Sequence, residues 1–458
     1  MLFFVSNVYA NEDLDITGTA VILLERSTGR VLYGRNIDGL VYPASMIKVL
    51  TSIVLLDHMD IDDIIRVGRE IYYVPAGSSR AGHVYAENIT GLNILRGLIL
   101  PSGNDTANVA VAHVARAVSG TTLPFPEAEA LFANLMNERA REIGATNSNF
   151  TNAHGFHDPE MRVTVRDLAI IAEYALDIPI IAEVAMELNY QGSSWPDAPA
   201  NVRTTNFNWN NTNRLLVGEF YNPDVIGLKT GFHTPAGWTF IGAARRGNME
   251  LVSVIAGSYA ETRWHDTTAL FNYGFETYAM RPVHVGSSVI EEISIQNPRW
   301  GYQDTTQVRG TANFIHLLSQ AELNAIEREL VFFDEFVYTP YYTYYDQYDG
   351  ATNDVSFVAP LYAGYVIGEV IYTLNGQELF RDNIVIQEDI PEWTRLSSLQ
   401  YAINYLIENP FSIFGLSFIL GVIFLLIIIV QVVGIVLRIR RRKRKGLRGY
   451  SVPRFKYR

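Results

Sequence analysis

"YPASMIKVLTS" (residues 42–52) sets a serine three residues before a lysine on what reads as the first turn of a helix. Pro43 and Ala44 lead in, and Met46, Ile47, Val49, Leu50, Ile53, Val54 and Leu55 form an apolar stripe that suits a buried helix. Positions i and i+3 share one helix face, so the Ser45 hydroxyl and the Lys48 ammonium are expected to be neighbours. They would lie at a helix N-terminus, where outward-pointing N–H groups favour negative charge, a suitable place for a nucleophile. Taken alone, the same spacing is served by an N-cap serine followed by a solvated lysine. The rest of the chain decides between the two.

With 458 residues and 48% hydrophobic composition, the chain can bury a large core and has room for two or three domains. There is no cysteine, which excludes disulfides, a thiolate nucleophile and cysteine metal sites and fits an extracytoplasmic bacterial protein. The net charge of −12 is unevenly spread: Arg438–Arg458 carries eleven Lys and Arg and no acid, leaving −23 on residues 1–437. Just before that tail, Asn409 to Leu437 is 29 residues without a charge, longer than the ~20 needed to cross a bilayer. A transmembrane helix over 411–437 is therefore expected, with the basic tail 438–458 cytoplasmic under the positive-inside rule and the preceding residues outside. A stop-transfer anchor accounts for the tail better than a nucleic-acid role. "MLFFVSNVYA" (1–10) resembles the end of a signal peptide that lacks its charged n-region.

"TAVILLERSTGRVLYGRN" (19–36) reads as a hairpin around Ser27-Thr28-Gly29, and "GWTFIGAARRGNMELVSVIAG" (237–257) as a second around Arg246-Gly247-Asn248. The text between is largely helical, including "GLNILRGLILPSGNDTANVAVAHVARAV" and "TVRDLAIIAEYAL". Hairpins at both ends of a helical block predict an antiparallel sheet completed by distant segments and covered by helices, an α/β chain of the α+β kind. Short β-like runs over 283–389 predict a separate β-rich domain, within which Tyr338–Tyr348 holds six tyrosines. Residues 392–408 read as an amphipathic juxtamembrane segment.

Two further motifs bear on Ser45 and Lys48. Ser102-Gly103-Asn104, in "ILPSGNDTA", sits between two helical runs, where a loop can present a hydroxyl and an amide. Lys229-Thr230-Gly231, in "VIGLKTGFHTPAG", precedes the second hairpin and is expected at a sheet edge, where glycine lets another backbone approach. S-x-x-K, S-x-N and K-T-G in that order are a signature of active-site serine penicillin-recognising enzymes. With them the chain resembles the D-alanyl-D-alanine carboxypeptidases among low-molecular-mass penicillin-binding proteins. The resemblance spans roughly residues 16–390 and includes "STGRVLYGRN", "HGFHD" followed by "TVRDLA", and "RWHDTTALFNYGF" (263–275). It implies a penicillin-recognising serine enzyme (β-lactamase-like) fold, a catalytic domain over 11–280, a small β-rich domain and a C-terminal anchor.

What the resemblance implies chemically is acylation of Ser45, release of D-alanine from a peptidoglycan stem peptide ending in D-Ala-D-Ala, and hydrolysis by water, with β-lactams as mimics. An ordinary serine needs an adjacent base, and Lys48 can serve only when neutral, so burial and a nearby cation such as Lys229 must depress its pKa. By resemblance Ser102 relays the proton to the leaving amine and Asn104 holds the substrate amide. Lys229, Thr230 and Arg263 bind the terminal carboxylate, Gly231 belongs to the same motif, and the backbone N–H groups of Ser45 and Phe232 form the oxyanion hole. The family often has threonine two residues after the K-T-G glycine; here Phe232, His233 and Thr234 follow. No cofactor or metal is expected: the nine histidines include no H-E-x-x-H, and His154 and His157 fall in the "HGFHD" loop, which matches a structural segment of the family. Asp167 is expected to be a cap or an ion-pair partner. The competing readings are a class A β-lactamase, whose E-x-x-L-N glutamate pattern is missing from residues 126–138, and a membrane-tethered β-lactam or peptidoglycan-binding protein without turnover.

Overall fold

The run Ala20–Glu25, "AVILLE", is apolar at every position but the last, as a strand covered on both faces requires. In the computed structural model, which describes residues 14–299, 302–337, 356–409 and 413–446, it is an inner strand, β1, of a five-stranded antiparallel sheet. β1 pairs with β2 (Arg30–Arg35) on one side. On the other side β3 (Val225–His233), β4 (Gly237–Arg246) and β5 (Met249–Ser258) complete the order β2-β1-β5-β4-β3. The β1–β2 turn is set by Glu25, whose buried carboxylate accepts from the N–H and hydroxyl of both Ser27 (3.0 and 2.7 Å) and Thr28 (2.9 and 2.6 Å).

Alternate side chains of β1 enter two cores. Ala20, Ile22 and Leu24 pack with helices α1 (Lys48–Leu56), α2 (Gly91–Ile99), α3 (Asn104–Ser119), α4 (Phe125–Glu142), α5 (Val165–Leu176) and α6 (Pro179–Met186). Val21 and Leu23 pack with Trp264, Leu270 and Phe271 of α7 (Thr262–Thr277). The sheet is thus sandwiched between helices, and each fully buried aliphatic side chain contributes about 1.5–3 kcal/mol relative to exposure. Asp167, expected as a cap or ion-pair partner, is neither: Thr164 caps α5, and the Asp167 carboxylate accepts from the Asn147 N–H and the Ser148 hydroxyl, both at 2.7 Å.

The chain divides into two compact units, one running to Met280 and taking in Leu317–Gln320, the other comprising Arg281–His316 and the chain from Ala321 onward. The second unit holds a six-stranded sheet of β6 (Val289–Gln296), β7 (Thr305–Arg309), β8 (Ile326–Phe332), β9 (Ser356–Val358), β10 (Val366–Leu374) and β11 (Gln377–Ile386), in the order β8-β10-β11-β7-β6-β9. Its core includes Ile293, Ile295, Val308, Phe357, Val370 and Ile384. Beyond it lie helices α8 (Arg395–Glu408) and α9 (Ile413–Gly446). Ser417–Arg441 of α9 is long and apolar enough to cross a membrane, with a mean hydropathy of 3.2, and it is unburied. The signal-like residues 1–10 and the tyrosine-rich stretch Tyr338–Tyr348 lie outside the described residues.

Candidate active site

Ser45 lies in a short 3-10 turn, Ala44–Ile47, ahead of α1 rather than in its first α-helical turn, and Ala44 adopts a positive φ of 48°. The tighter turn still presents both side chains together, because positions i and i+3 eclipse in a 3-10 helix. Lys48 Nζ is 2.8 Å from Ser45 Oγ, 2.7 Å from Asn104 Oδ1 and 2.8 Å from the His154 carbonyl oxygen. Lys48 is fully buried, and that burial, followed by the positive field of Lys229, holds its amine well below the ordinary lysine range, against the opposing pull of Asp105. Its two oxygen neighbours other than Ser45 are carbonyls and can only accept. A neutral amine would therefore give its two N–H groups to them and turn its lone pair to the Ser45 hydroxyl, ready to take that proton.

The loop before α3 presents Ser102 and Asn104. Ser102 sits at φ 61°, in the left-handed region that few non-glycine residues occupy. Its carbonyl accepts from Ser79 Oγ at 2.5 Å, and Asn104 N–H donates to the Ser79 carbonyl at 2.9 Å. The buried Asp105 carboxylate accepts from the N–H groups of Ala81, Gly82 and His83 at 2.7, 2.9 and 3.2 Å, pinning residues 79–83 to the α3 N-terminus. With Oδ1 turned to Lys48, the Asn104 side chain has its Nδ2 left for a ligand carbonyl.

Edge strand β3 forms the facing wall. Lys229 is buried, donates to the Thr230 carbonyl at 3.1 Å, and is lowered by burial to about 7. Thr230 Oγ1 is 2.7 Å from Thr212 Oγ1. A Cβ on Gly231 would lie 2.9 Å from Ser45 N and 2.4 Å from Thr239 Oγ1, so only glycine lets β3 run this close to the Ser45 backbone. The Phe232 ring stacks on Trp238 at 4.2 Å, and the Arg263 guanidinium lies 4.2 Å from the Trp238 ring and 4.0 Å from Trp264. Arg263 donates to the Ala260 carbonyl, while its Nε is buried with no partner among the described residues; burial and then Arg214 lower it to about 10. A cavity of about 820 Å³ is lined by Ser45, Ser102, Asn104, Thr230, Gly231, Phe232 and Arg263, and Lys48 and Lys229 are buried behind that lining.

Other participants escaped the sequence reading. The His154 carbonyl, in the "HGFHD" loop, is a direct partner of Lys48, and Asn152 Oδ1 holds that loop through the N–H groups of His154 and Gly155 at 3.3 and 2.8 Å. Burial and the neighbouring Lys48 push the His154 ring down to about 3. Gly155 has φ +78°, and a Cβ there would lie 2.0 Å from the Ala44 carbonyl oxygen, so this glycine, visible in the sequence, was the available signal. His233, where threonine is common, packs against His157 and Tyr42 with centroids 5.4 and 6.0 Å away, a pairing that no local spacing announces.

A serine hydroxyl beside a buried lysine, walled by a polar loop and a glycine-bearing sheet edge, defines the class of penicillin-recognising serine enzymes. Comparison with known families matches residues 7–260 to the D-alanyl-D-alanine carboxypeptidase family of serine peptidases. The chain belongs to that family, and its activity is that of a serine-type D-Ala-D-Ala carboxypeptidase. It is 24% identical over 404 residues to the D-alanyl-D-alanine carboxypeptidase DacF of Bacillus subtilis, covering 85% of this chain and 92% of the relative. It is 31% identical over 264 residues to DacB2 of Mycobacterium tuberculosis, covering 56% of this chain and 81% of the relative. Among solved structures, penicillin binding protein 5 from Haemophilus influenzae shares its fold with a TM-score of 0.54 at 23% identity, covering 83% of this chain and 99% of that one.

Proposed function

We propose that Ser45 is the nucleophile that removes the terminal D-alanine from peptidoglycan stem peptides, with neutral Lys48 as its base. The Ser45 proton passes to Lys48 Nζ as Oγ bonds to the penultimate D-alanine carbonyl carbon, and the oxyanion is held by the N–H groups of Ser45 and Phe232. Collapse breaks the C–N bond while the proton moves through Ser102 to the departing amine. Asn104 holds the acyl-side amide, and Lys229, Thr230 and Arg263 hold the departing carboxylate. Water, deprotonated by the Lys48/Ser102 pair, then attacks the ester and frees Ser45. The observation that carries this reading is the Lys48 amine, buried and flanked by two carbonyl acceptors, with Ser45 Oγ at 2.8 Å.

A β-lactam offers the same carboxylate beside a strained amide, so it acylates Ser45 and leaves slowly. The catalytic unit faces the outside of the cell membrane, tethered by α9 with the basic tail in the cytoplasm, an orientation supported by the eleven cations after Leu437. The test combines D-alanine release from a diacyl-D-Ala-D-Ala peptide with mass spectrometry after benzylpenicillin. Turnover of the peptide and a penicilloyl adduct on the Ser45 peptide, lost in Ser45→Ala, are expected. An adduct that persists in Ser45→Ala removes the nucleophile assignment.

A further inference from the structure

The segment Asn211–Leu216 is held rigidly beside β3. Asn211 Oδ1 accepts from the Asn213 N–H at 2.9 Å, and Asn213 Oδ1 accepts from the Leu215 N–H at 3.0 Å. Asn211 Nδ2 donates to the carbonyls of Ala185 and Glu187 at 3.1 and 2.9 Å. Its Thr212 hydroxyl meets the Thr230 hydroxyl, and two residues on, Arg214 lines the same cavity as Ser45, Ser102, Thr230 and Arg263. Arg263 comes from the first turn of α7, and Glu261, at the cap of that helix, is 3.7 Å from the Arg214 guanidinium. Two arginines from distant segments therefore converge on one cavity beside a helix N-terminus, which itself favours an anion.

Such an arrangement is repulsive while the cavity holds no negative charge, and the field of Arg214 is one cause of the depressed Arg263. The acids around Arg214 do not relieve it. Glu219 and Glu261 stand 3.6 and 3.7 Å away and are largely solvent-exposed, so those pairs are loose and contribute little. Arg263 Nε, meanwhile, is buried without a partner among the described residues. Arg214, Arg263 and the threonine pair all line the cavity that an anion would enter, and the Arg214 guanidinium also lies over the Phe220 ring, 4.4 Å from its centroid.

Resting on the carboxypeptidase reading of this site, we propose that Arg214 is a further substrate-binding residue. With Arg263 and Thr230 it forms a two-arginine subsite for the carboxylate of the departing residue, and so confines the enzyme to substrates whose leaving group is a free D-amino acid. Purified full-length enzyme separates this from other roles when two substrates are compared: a diacyl-L-lysyl-D-alanyl-D-alanine peptide, and the matching diacyl-L-lysyl-D-alanine ethyl ester, whose leaving group carries no carboxylate. In Arg214→Gln, the ratio of kcat/KM for the peptide to that for the ester should fall tenfold or more. Because the ratio is independent of how much enzyme is folded, an equal loss on both substrates would mean that Arg214 only supports the structure, and would overturn the proposal. An unchanged ratio with unchanged rates would overturn it equally. Failure of the wild-type chain to release D-alanine at all would instead strike the carboxypeptidase reading.

Discussion

At Lys48 three oxygen atoms share one amine, and their chemistry dictates its protonation. The Asn104 and His154 oxygens accept but cannot donate, and burial together with the charge of Lys229 disfavours a third proton on Nζ. Acylation should therefore rise with pH as Lys48 loses its proton, well below the ordinary lysine range. In the proposed mechanism Lys229 acts in the opposite state, as a cation for the substrate carboxylate, and it is lowered to about 7, so on that mechanism acylation should fall as pH rises past that value in the free enzyme. Second-order acylation by benzylpenicillin measured from pH 5 to 10 should trace a bell whose falling limb lies near neutrality and moves upward in Lys229→Arg. A rate that climbs without a maximum to pH 10 would contradict the role given to Lys229. Lys48→Arg keeps the charge at every accessible pH and should slow acylation by about 10²–10⁴-fold, the usual worth of general base catalysis.

At the scale of elements, the site is assembled where the α1 entry turn, the α3 entry loop, the "HGFHD" loop and β3 meet. The closest approaches involve glycine: Gly231 against Ser45 N, and Gly155 against the Ala44 carbonyl. Gly155→Ala should force the loop off Ala44 and move the His154 carbonyl away from Lys48. The left-handed backbone alone costs a non-glycine residue of order 1–3 kcal/mol. A melting temperature lowered by several degrees and penicillin acylation slowed at least tenfold are expected by calorimetry and stopped-time mass spectrometry; unchanged acylation would show that the His154 carbonyl does not position Lys48. The order of motifs was legible because each lies at a boundary marked in the sequence: Pro43 before Ser45, Pro101 before Ser102, and the Arg246-Gly247-Asn248 turn that places Lys229 on the strand preceding the hairpin. Asp105 and Asn152 were not legible as organisers, since their partners are backbone N–H groups that only the folded loops supply.

At the scale of the whole molecule, α9 exposes its apolar side chains from Phe418 to Leu437. A chain ending before Asn409 should therefore stay in solution after cell lysis and be acylated at the rate of the full-length protein. Sedimentation and penicillin labelling check both; loss of labelling in the truncated, folded protein would tie the last helix to catalysis. Protease added to intact protoplasts should release the catalytic unit and spare the basic tail, and the reverse pattern would overturn the orientation.

Sequence by itself determined the fold class, the Ser45–Lys48 spacing and the apolar C-terminal span, because each rests on periodicity or on residues within one turn of each other. Local spacing sets which side chains share a face, and hydropathy sets which stretches leave water. Only the tertiary structure decided that Lys48 faces two acceptor-only carbonyls, that Gly155 and Gly231 admit neighbouring backbones, and that Arg214 shares a cavity with Arg263. Those facts depend on segments tens to hundreds of residues apart being brought together, and no local pattern encodes the position of a partner that arrives from another part of the chain.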